Sequence, residues 1–205
     1  MKIGIDLDEV LADFLPALIE YHNATYRTSL VRGRFRTYRF WEIWGGTREE
    51  AIQRVYDFHK TAYFKNMKPV VGSQEAIDIL KRNNDLMVVT SRTEDVAETT
   101  REWIAQHFPN IFSGIYFANH YSQSGSPRTK KEICNSEDID LLIEDSLEYA
   151  LECLTPQRKV LLLDCPWNSD SDLPQGIYRV NSWKEIPSSI SGIPCPSETE
   201  CLRDC

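Results

Sequence analysis

No stretch of this 205-residue chain is apolar over anything near the ~20 residues that a membrane-crossing helix needs, which excludes a helical span. No leader is expected either. The first apolar strand begins almost at the first residue and leaves no room for a signal or transit peptide, so an intracellular, cytoplasmic protein is expected. The six cysteines (Cys134, Cys153, Cys165, Cys195, Cys201 and Cys205) include no C-x-x-C pair, so a zinc site lacks support; reduced thiols, some of them buried, are expected. Internal repeats are absent, which excludes a repeat architecture. What remains is a chain with 41% hydrophobic and 26% charged residues, long enough for one sizeable core or one core with a modest insertion.

The charge is unevenly spread. The net charge is −8, yet residues 15–69 hold ten Lys/Arg against five Asp/Glu, and eleven of the chain's 22 aromatic residues. The remainder holds 13 basic and 26 acidic residues. A basic, aromatic segment is thus set in an acidic body. Such a body opposes broad binding to a phosphate backbone, so a nucleic acid polymer is not an expected partner, and neither is a membrane.

Outside residues 15–69, apolar runs alternate with helical patterns. Strands are predicted at Lys2–Leu7, Leu86–Thr90, Gly114–Ala118, Asp140–Glu144 and Val160–Leu163, with a short edge strand at Gly176–Val180. Helices are predicted at Ser73–Asn83, Asp95–His107, Thr129–Cys134 and Ser146–Leu154. That alternation predicts an α/β fold: a doubly wound, Rossmann-like parallel sheet with helices on both faces. Residues 15–69 break the rhythm with helical patterns at Leu15–Tyr26 and at Thr47–His59, the second opened by Thr47 as N-cap with Glu49 and Glu50 in its first turn. The expected organisation is a core of residues 1–14 and 70–186 and a small helical insertion of residues 15–69 after the first strand. A tail of residues 187–205, rich in Ser, Pro and Cys, is expected to pack loosely or be disordered.

In an open parallel sheet, ligands bind at the carboxyl ends of the strands. Here those ends carry Asp6 and Asp8, then Thr90-Ser91-Arg92, then Glu144-Asp145-Ser146, with Lys130 and Lys131 opening the helix before the last of these strands. Crowded carboxylates at a buried strand end need a cation or a shared proton to compensate them. Each piece also has a plain structural reading: an acidic turn at Asp6 and Asp8, an N-cap at Thr90 or Ser91 for the helix that follows, a solvated lysine, or an Arg92 paired with a nearby acid. Four such pieces in this order favour a site.

The set resembles the haloacid dehalogenase-like superfamily of hydrolases. Asp6-Leu7-Asp8-Glu9-Val10 matches its first motif D-x-D-x-[TV], Thr90 its second, Lys130 (or Lys131) its third and Glu144-Asp145 its acidic fourth. Asp6–Asp13, Thr90–Arg92, Lys130–Cys134, Ile143–Leu147 and Asp164–Asn168 are more narrowly similar to the 5'(3')-deoxyribonucleotidase branch, which carries a helical cap where the basic, aromatic segment lies. The resemblance implies a magnesium-dependent phosphomonoesterase, a phosphatase of the 5'-nucleotidase type. Asp6 would be the nucleophile that forms an aspartyl-phosphate and Asp8 the general acid and base. Thr90 would bind a phosphoryl oxygen and Lys130, favoured over Lys131 by the K-x-E-I-C spacing, would neutralise charge. Asp6, the carbonyl of Asp8, and Asp145 would hold Mg2+. Glu144 departs from the aspartate that many members carry there.

The substrate implied is a small phosphate monoester, a nucleotide. Flat rings can stack on a base, and arginines offer paired donors to phosphate. Ser91, Arg92, Phe14, Phe40, Trp41 and Trp44 are the expected substrate contacts, the alternative for the aromatics being the insertion's own core. A sugar phosphate phosphatase, or a binding protein that keeps the fold without catalysis, are the other readings. Oligomeric state is left open, a homodimer included.

Overall fold

The computed structural model describes residues 1–119, 128–169 and 172–191. Cys195, Cys201 and Cys205 lie outside them; Cys134, Cys153 and Cys165 are buried free thiols. Among the described residues no helix is long and apolar enough to cross a membrane.

Six parallel strands form one sheet: β1 (Lys2–Ile5), β2 (Asp85–Thr90), β3 (Gly114–Phe117), β4 (Leu141–Glu144), β5 (Lys159–Leu163) and β6 (Ile177–Val180). Their order is β3-β2-β1-β4-β5-β6, so the winding reverses at β1, where a ligand crevice is expected. Ile3 lies beside Leu86 on one side and Leu141 on the other. Alternation along the strands builds two cores. Ile3, Ile5, Val88, Leu141, Ile143 and Leu161 point to one face, and Val89, Leu142, Val160 and Leu162 to the other. Gly4 points to the second face, where an added Cβ would come 3.2 Å from Ile139 Cγ2 and 3.3 Å from Leu142 Cδ1.

Helices α1 (Phe14–Tyr26), α2 (Trp41–Trp44), α3 (Arg48–His59) and α4 (Ala62–Lys65) fill the stretch between β1 and β2, with α5 (Ser73–Leu80) leading back to the sheet. The remaining α-helices among the described residues are α6 (Ala97–His107), α7 (Lys130–Ser136), α8 (Leu147–Cys153) and α9 (Ile186–Ser191). The chain leaves and re-enters the core at adjacent points. Asp13 N donates to Lys68 O and Val70 N to Leu11 O, closing a short antiparallel contact at the base of the insertion.

Local chemistry fixes these helices. Thr47 caps α3 reciprocally with Glu50: Glu50 N donates to Thr47 Oγ1 at 3.2 Å and Thr47 N to Glu50 Oε2 at 2.8 Å. Helix α1 starts differently. Asp13 makes no side-chain cap, and Leu15 N donates instead to the buried Glu9 Oε1 at 2.5 Å. The expected loose tail is corrected at its start: Ile186–Ser191 is helical, and Ile190 is buried because its side chain joins the larger of the two cores.

Candidate active site

The carboxyl ends of β1, β2 and β4 bring the acidic motif residues together. Asp6 follows β1, and its N–H donates to Ile143 O at 2.9 Å, which ties the start of the turn to β4. The turn then tightens around Leu7 O, which accepts from both Leu11 N and Ala12 N. Glu9 sits inside this turn with φ +64°, a left-handed conformation that a residue with a Cβ adopts at a cost. Its carboxylate stabilises that conformation, holding the N-terminus of α1 with one oxygen and Arg32 with the other at 2.6 Å. Burial pushes the Glu9 carboxyl up to about 7, against the pull of Arg32.

Lys130 is the central cation. Thr129 and Glu132 form a capping box that starts α7, with Glu132 N donating to Thr129 Oγ1 at 3.0 Å and Thr129 N to Glu132 Oε2 at 2.8 Å. This turns Lys130 inward and leaves Lys131 exposed. The Lys130 ammonium lies 2.7 Å from Asp6 Oδ1 and 2.7 Å from Glu144 Oε2, and 4.6 Å from the centre of the Tyr149 ring. Burial alone would lower its pKa, but the two carboxylates hold it well above the usual lysine value. Burial also raises Asp6 to about 7, helped by the charge of Glu144 and opposed by Lys130. Glu144 is raised to about 7 by burial and is further committed to Ser146 N at 3.1 Å.

Asp145 is held from several sides. Its Oδ2 accepts from Tyr38 at 2.5 Å and from Trp167 Nε1 at 2.8 Å, while Asn168 Nδ2 donates to its carbonyl at 2.6 Å. Arg179 in turn fixes Asn168 through Oδ1 at 2.6 Å. Burial, then the charge of Asp6, raises Asp145 to about 7. Oxygens of Asp6, Glu144 and Asp145 lie within 4.8 Å of one another. Three buried carboxylates against one lysine leave negative charge uncompensated, and an all-oxygen donor set suits a hard divalent cation such as magnesium.

Arg92, expected to meet either substrate or an acid, meets the acid. Its Nε and NH2 bind Asp8 Oδ2 and Oδ1 at 3.0 and 2.6 Å, and NH1 donates to Thr100 Oγ1 at 3.0 Å. The guanidinium also lies 4.6 Å over the ring of Phe64. Thr90 is buried at the end of β2, its hydroxyl accepting from Arg92 N at 3.2 Å. Neither Thr90 nor Ser91 occupies the N-cap position of the helical turn that follows; Thr93 does.

A cleft of about 240 Å³ is lined by Asp6, Asp8, Thr90, Ser91 and Asp145 together with Phe14, Phe40 and Trp41. Trp44 does not line it. That indole stacks on His22 at 4.6 Å and packs 4.8 Å from Phe40, inside the insertion. Tyr38, Tyr56, His59 and Tyr149 line the cleft as well and were not expected from sequence. Tyr38 stood next to the aromatic run and Tyr149 one helical turn beyond Asp145, whereas His59 gave no signal. Part of the insertion's positive charge is committed to the protein itself: Arg32 to Glu9 and Asp13, Arg39 to Glu42 at 3.5 Å, and Arg36 to Pro166 O at 3.3 Å.

Known proteins resemble the chain over most of its length. A family model described as 5' nucleotidase, deoxy (pyrimidine), cytosolic type C protein matches residues 1–192. The 5'(3')-deoxyribonucleotidase of Bacillus subtilis is 27% identical over 193 residues, covering 92% of this chain and 97% of its own. A nucleotidase of Clostridium acetobutylicum is 26% identical over 186 residues, 91% of each chain. Among solved structures, a haloacid dehalogenase-like hydrolase of Streptococcus pneumoniae superposes with a TM-score of 0.69 at 15% identity, covering 92% of this chain and 97% of its own. A magnesium-bound hydrolase of the same superfamily from Bacillus subtilis gives 0.62 at 17% identity, covering 94% and 98%.

Proposed function

The chain belongs to the 5' nucleotidase, deoxy (pyrimidine), cytosolic type C family, and on that footing we propose that it is a magnesium-dependent phosphomonoesterase that dephosphorylates (deoxy)nucleoside monophosphates in the cytoplasm. The observation that carries the reading is the cleft itself. Three aspartates, a threonine and a serine from the strand ends share a cleft of about 240 Å³ with Phe14 and with Phe40 and Trp41 of the insertion. Phosphate fits the polar part of this lining and a base the aromatic part.

In this reading an Asp6 carboxylate oxygen attacks phosphorus while the ester P–O bond breaks, and Asp8 delivers its proton to the departing alcohol oxygen. Asp8, now a carboxylate, takes a proton from water. The water oxygen attacks the phosphorus of the aspartyl-phosphate, releasing inorganic phosphate and restoring Asp6. Thr90 and Ser91 hold phosphoryl oxygens, and Lys130 keeps the Asp6 carboxylate ionised and in place, 2.7 Å away. Asp6, the carbonyl of Asp8, and Asp145 would hold the magnesium, which when bound offsets charge on the phosphoryl oxygens. Glu144 serves as the second partner of Lys130, not as a metal ligand. Residues 15–69 act as a cap that covers the cleft and excludes water, and residues 1–14 with 70–186 as the catalytic core.

A panel of nucleoside monophosphates and sugar phosphates, assayed with magnesium and with EDTA, tests this. Turnover of nucleotides that EDTA abolishes is the expected result. Turnover of sugar phosphates alone would keep the mechanism and overturn the substrate. No turnover of any ester by pure, metal-loaded protein would overturn both.

A further inference from the structure

Three polar atoms in the cleft have no hydrogen-bond partner among the described residues: His59 Nδ1, Ser91 Oγ and Thr93 Oγ1. All three are shut off from solvent, and Thr93 as a whole is only 5% exposed. Leaving a buried polar atom unpaired is destabilising, so its persistence at a ligand cleft points to a ligand group that completes it. Ser91 is already assigned to phosphate. The other two have no role in the chemistry proposed above.

Their position narrows what they would meet. His59 closes α3, with its ring 4.6 Å from Phe64, the same ring that Arg92 covers at 4.6 Å while holding Asp8. His59 is near enough to feel the charges of both Arg92 and Asp8. Burial keeps its imidazole neutral, with the pKa pushed down to about 4, so one ring nitrogen can donate and the other accept. Thr93 follows Arg92 directly and can do both through its hydroxyl. Asp8 is the group that serves the leaving oxygen, so the carbons attached to that oxygen lie in this corner of the cleft. Phe14, Tyr56 and Trp41 supply flat, apolar contact nearby, which a base can use but which leaves hydroxyls unpaired.

We propose that His59 and Thr93 form a leaving-group subsite that recognises hydroxyls of a sugar-like alcohol, and that they make this cleft select against hydroxyl-free phosphate esters. The inference rests on the phosphomonoesterase reading and adds the chemistry of the leaving group to it. A site built to hydrogen-bond a hydroxyl discriminates strongly against the analogue lacking it, because its own polar atoms are then left unpaired.

The test compares kcat/KM for a 2'-deoxynucleoside 5'-monophosphate and its 2',3'-dideoxy counterpart, with His59→Phe and Thr93→Val beside the wild type. The wild type is expected to favour the hydroxylated ester at least ~10-fold, and each variant to reduce that ratio at least ~5-fold, mainly through KM. Thr93→Val is nearly isosteric and covers the case in which His59→Phe does not fold. A wild-type ratio near one, or ratios unchanged in the folded variants, would overturn the proposal. If p-nitrophenyl phosphate is hydrolysed and neither nucleotide is, the nucleotide reading fails on its own. The same ratio is then measured with glycerol phosphate against propyl phosphate, and the same outcomes decide.

Discussion

The sheet edge and the inserted helices use the same residue types for different ends. At the sheet edge, Lys130 and Arg92 are almost wholly buried; Lys130 is bound by Asp6 and Glu144, and Arg92 by Asp8 and the Thr100 hydroxyl, all within 3.0 Å. In the insertion, Arg39 and Lys60 lie on the surface, with side-chain exposures of 69% and 70%, and pair only with neighbours on the same stretch. The aromatics divide likewise. Phe40 and Trp41 face the cleft, while Trp44, Phe35 and Phe58 pack the insertion's interior. A strand end dictates where its next side chain points. A helix face depends on what packs against it, and that is set by residues far along the chain.

The sharpest contrast is expected at Asp6. Asp6→Asn should lower turnover by about 10³-fold or more while leaving the circular dichroism spectrum native, since the shape is kept and only the proposed nucleophile is lost. Near-normal turnover would remove Asp6 from the chemistry. Lys130→Met should cost about 3–5 kcal/mol in denaturant unfolding, because Asp6 and Glu144 would be left as buried, unpaired carboxylates. Lys131→Met, one residue away and exposed, should change stability by no more than about 0.5 kcal/mol. Equal effects at the two positions would break the distinction between edge and surface.

Within the insertion, Trp44→Ala should destabilise the protein by about 2 kcal/mol or more and leave KM for nucleotide nearly unchanged, whereas Trp41→Ala should raise KM about tenfold through lost stacking. The reverse pattern would exchange their roles. A smaller effect concerns acid. Burial holds the His22 and His59 pKa values down to about 4, from an ordinary value near 6.5. Between pH 6.5 and 4 the unfolded chain therefore binds more protons than the folded one, so these two groups lower the thermal midpoint as pH falls through that window. His22→Phe should flatten that decline; an unchanged slope would assign it elsewhere.

Much of the core was legible because strand periodicity and strand-end chemistry coincide. The strand ends that carry Asp6, Asp8, Thr90 and Asp145 were legible from apolar periodicity, and the family resemblance singled out Lys130, which the capping box of Thr129 and Glu132 turns inward. Long-range packing decides the rest. Tyr38 reaches Asp145 from more than a hundred residues away, and its place beside the aromatic run does not say which residue it meets. Trp44 looked like its neighbour Trp41 but turns toward His22. Glu9 seemed one more acid in an acidic motif, yet it caps α1 and anchors Arg32, a task visible only once α1 is in place.

The position of β1 has a kinetic consequence. The first strand of the chain is the central one, and its two neighbours, β2 and β4, are supplied by segments that are synthesised much later. Asp6 and Asp8 therefore emerge early and wait, unpaired, for Lys130 and Arg92. Pairings so distant in sequence impose a large loop-closure entropy before any contact rewards it, which favours slow folding and a late, cooperative appearance of activity. A refolding experiment should find the helical signal recovering ahead of phosphatase activity, with the hydrolytic centre among the last features of the molecule to exist.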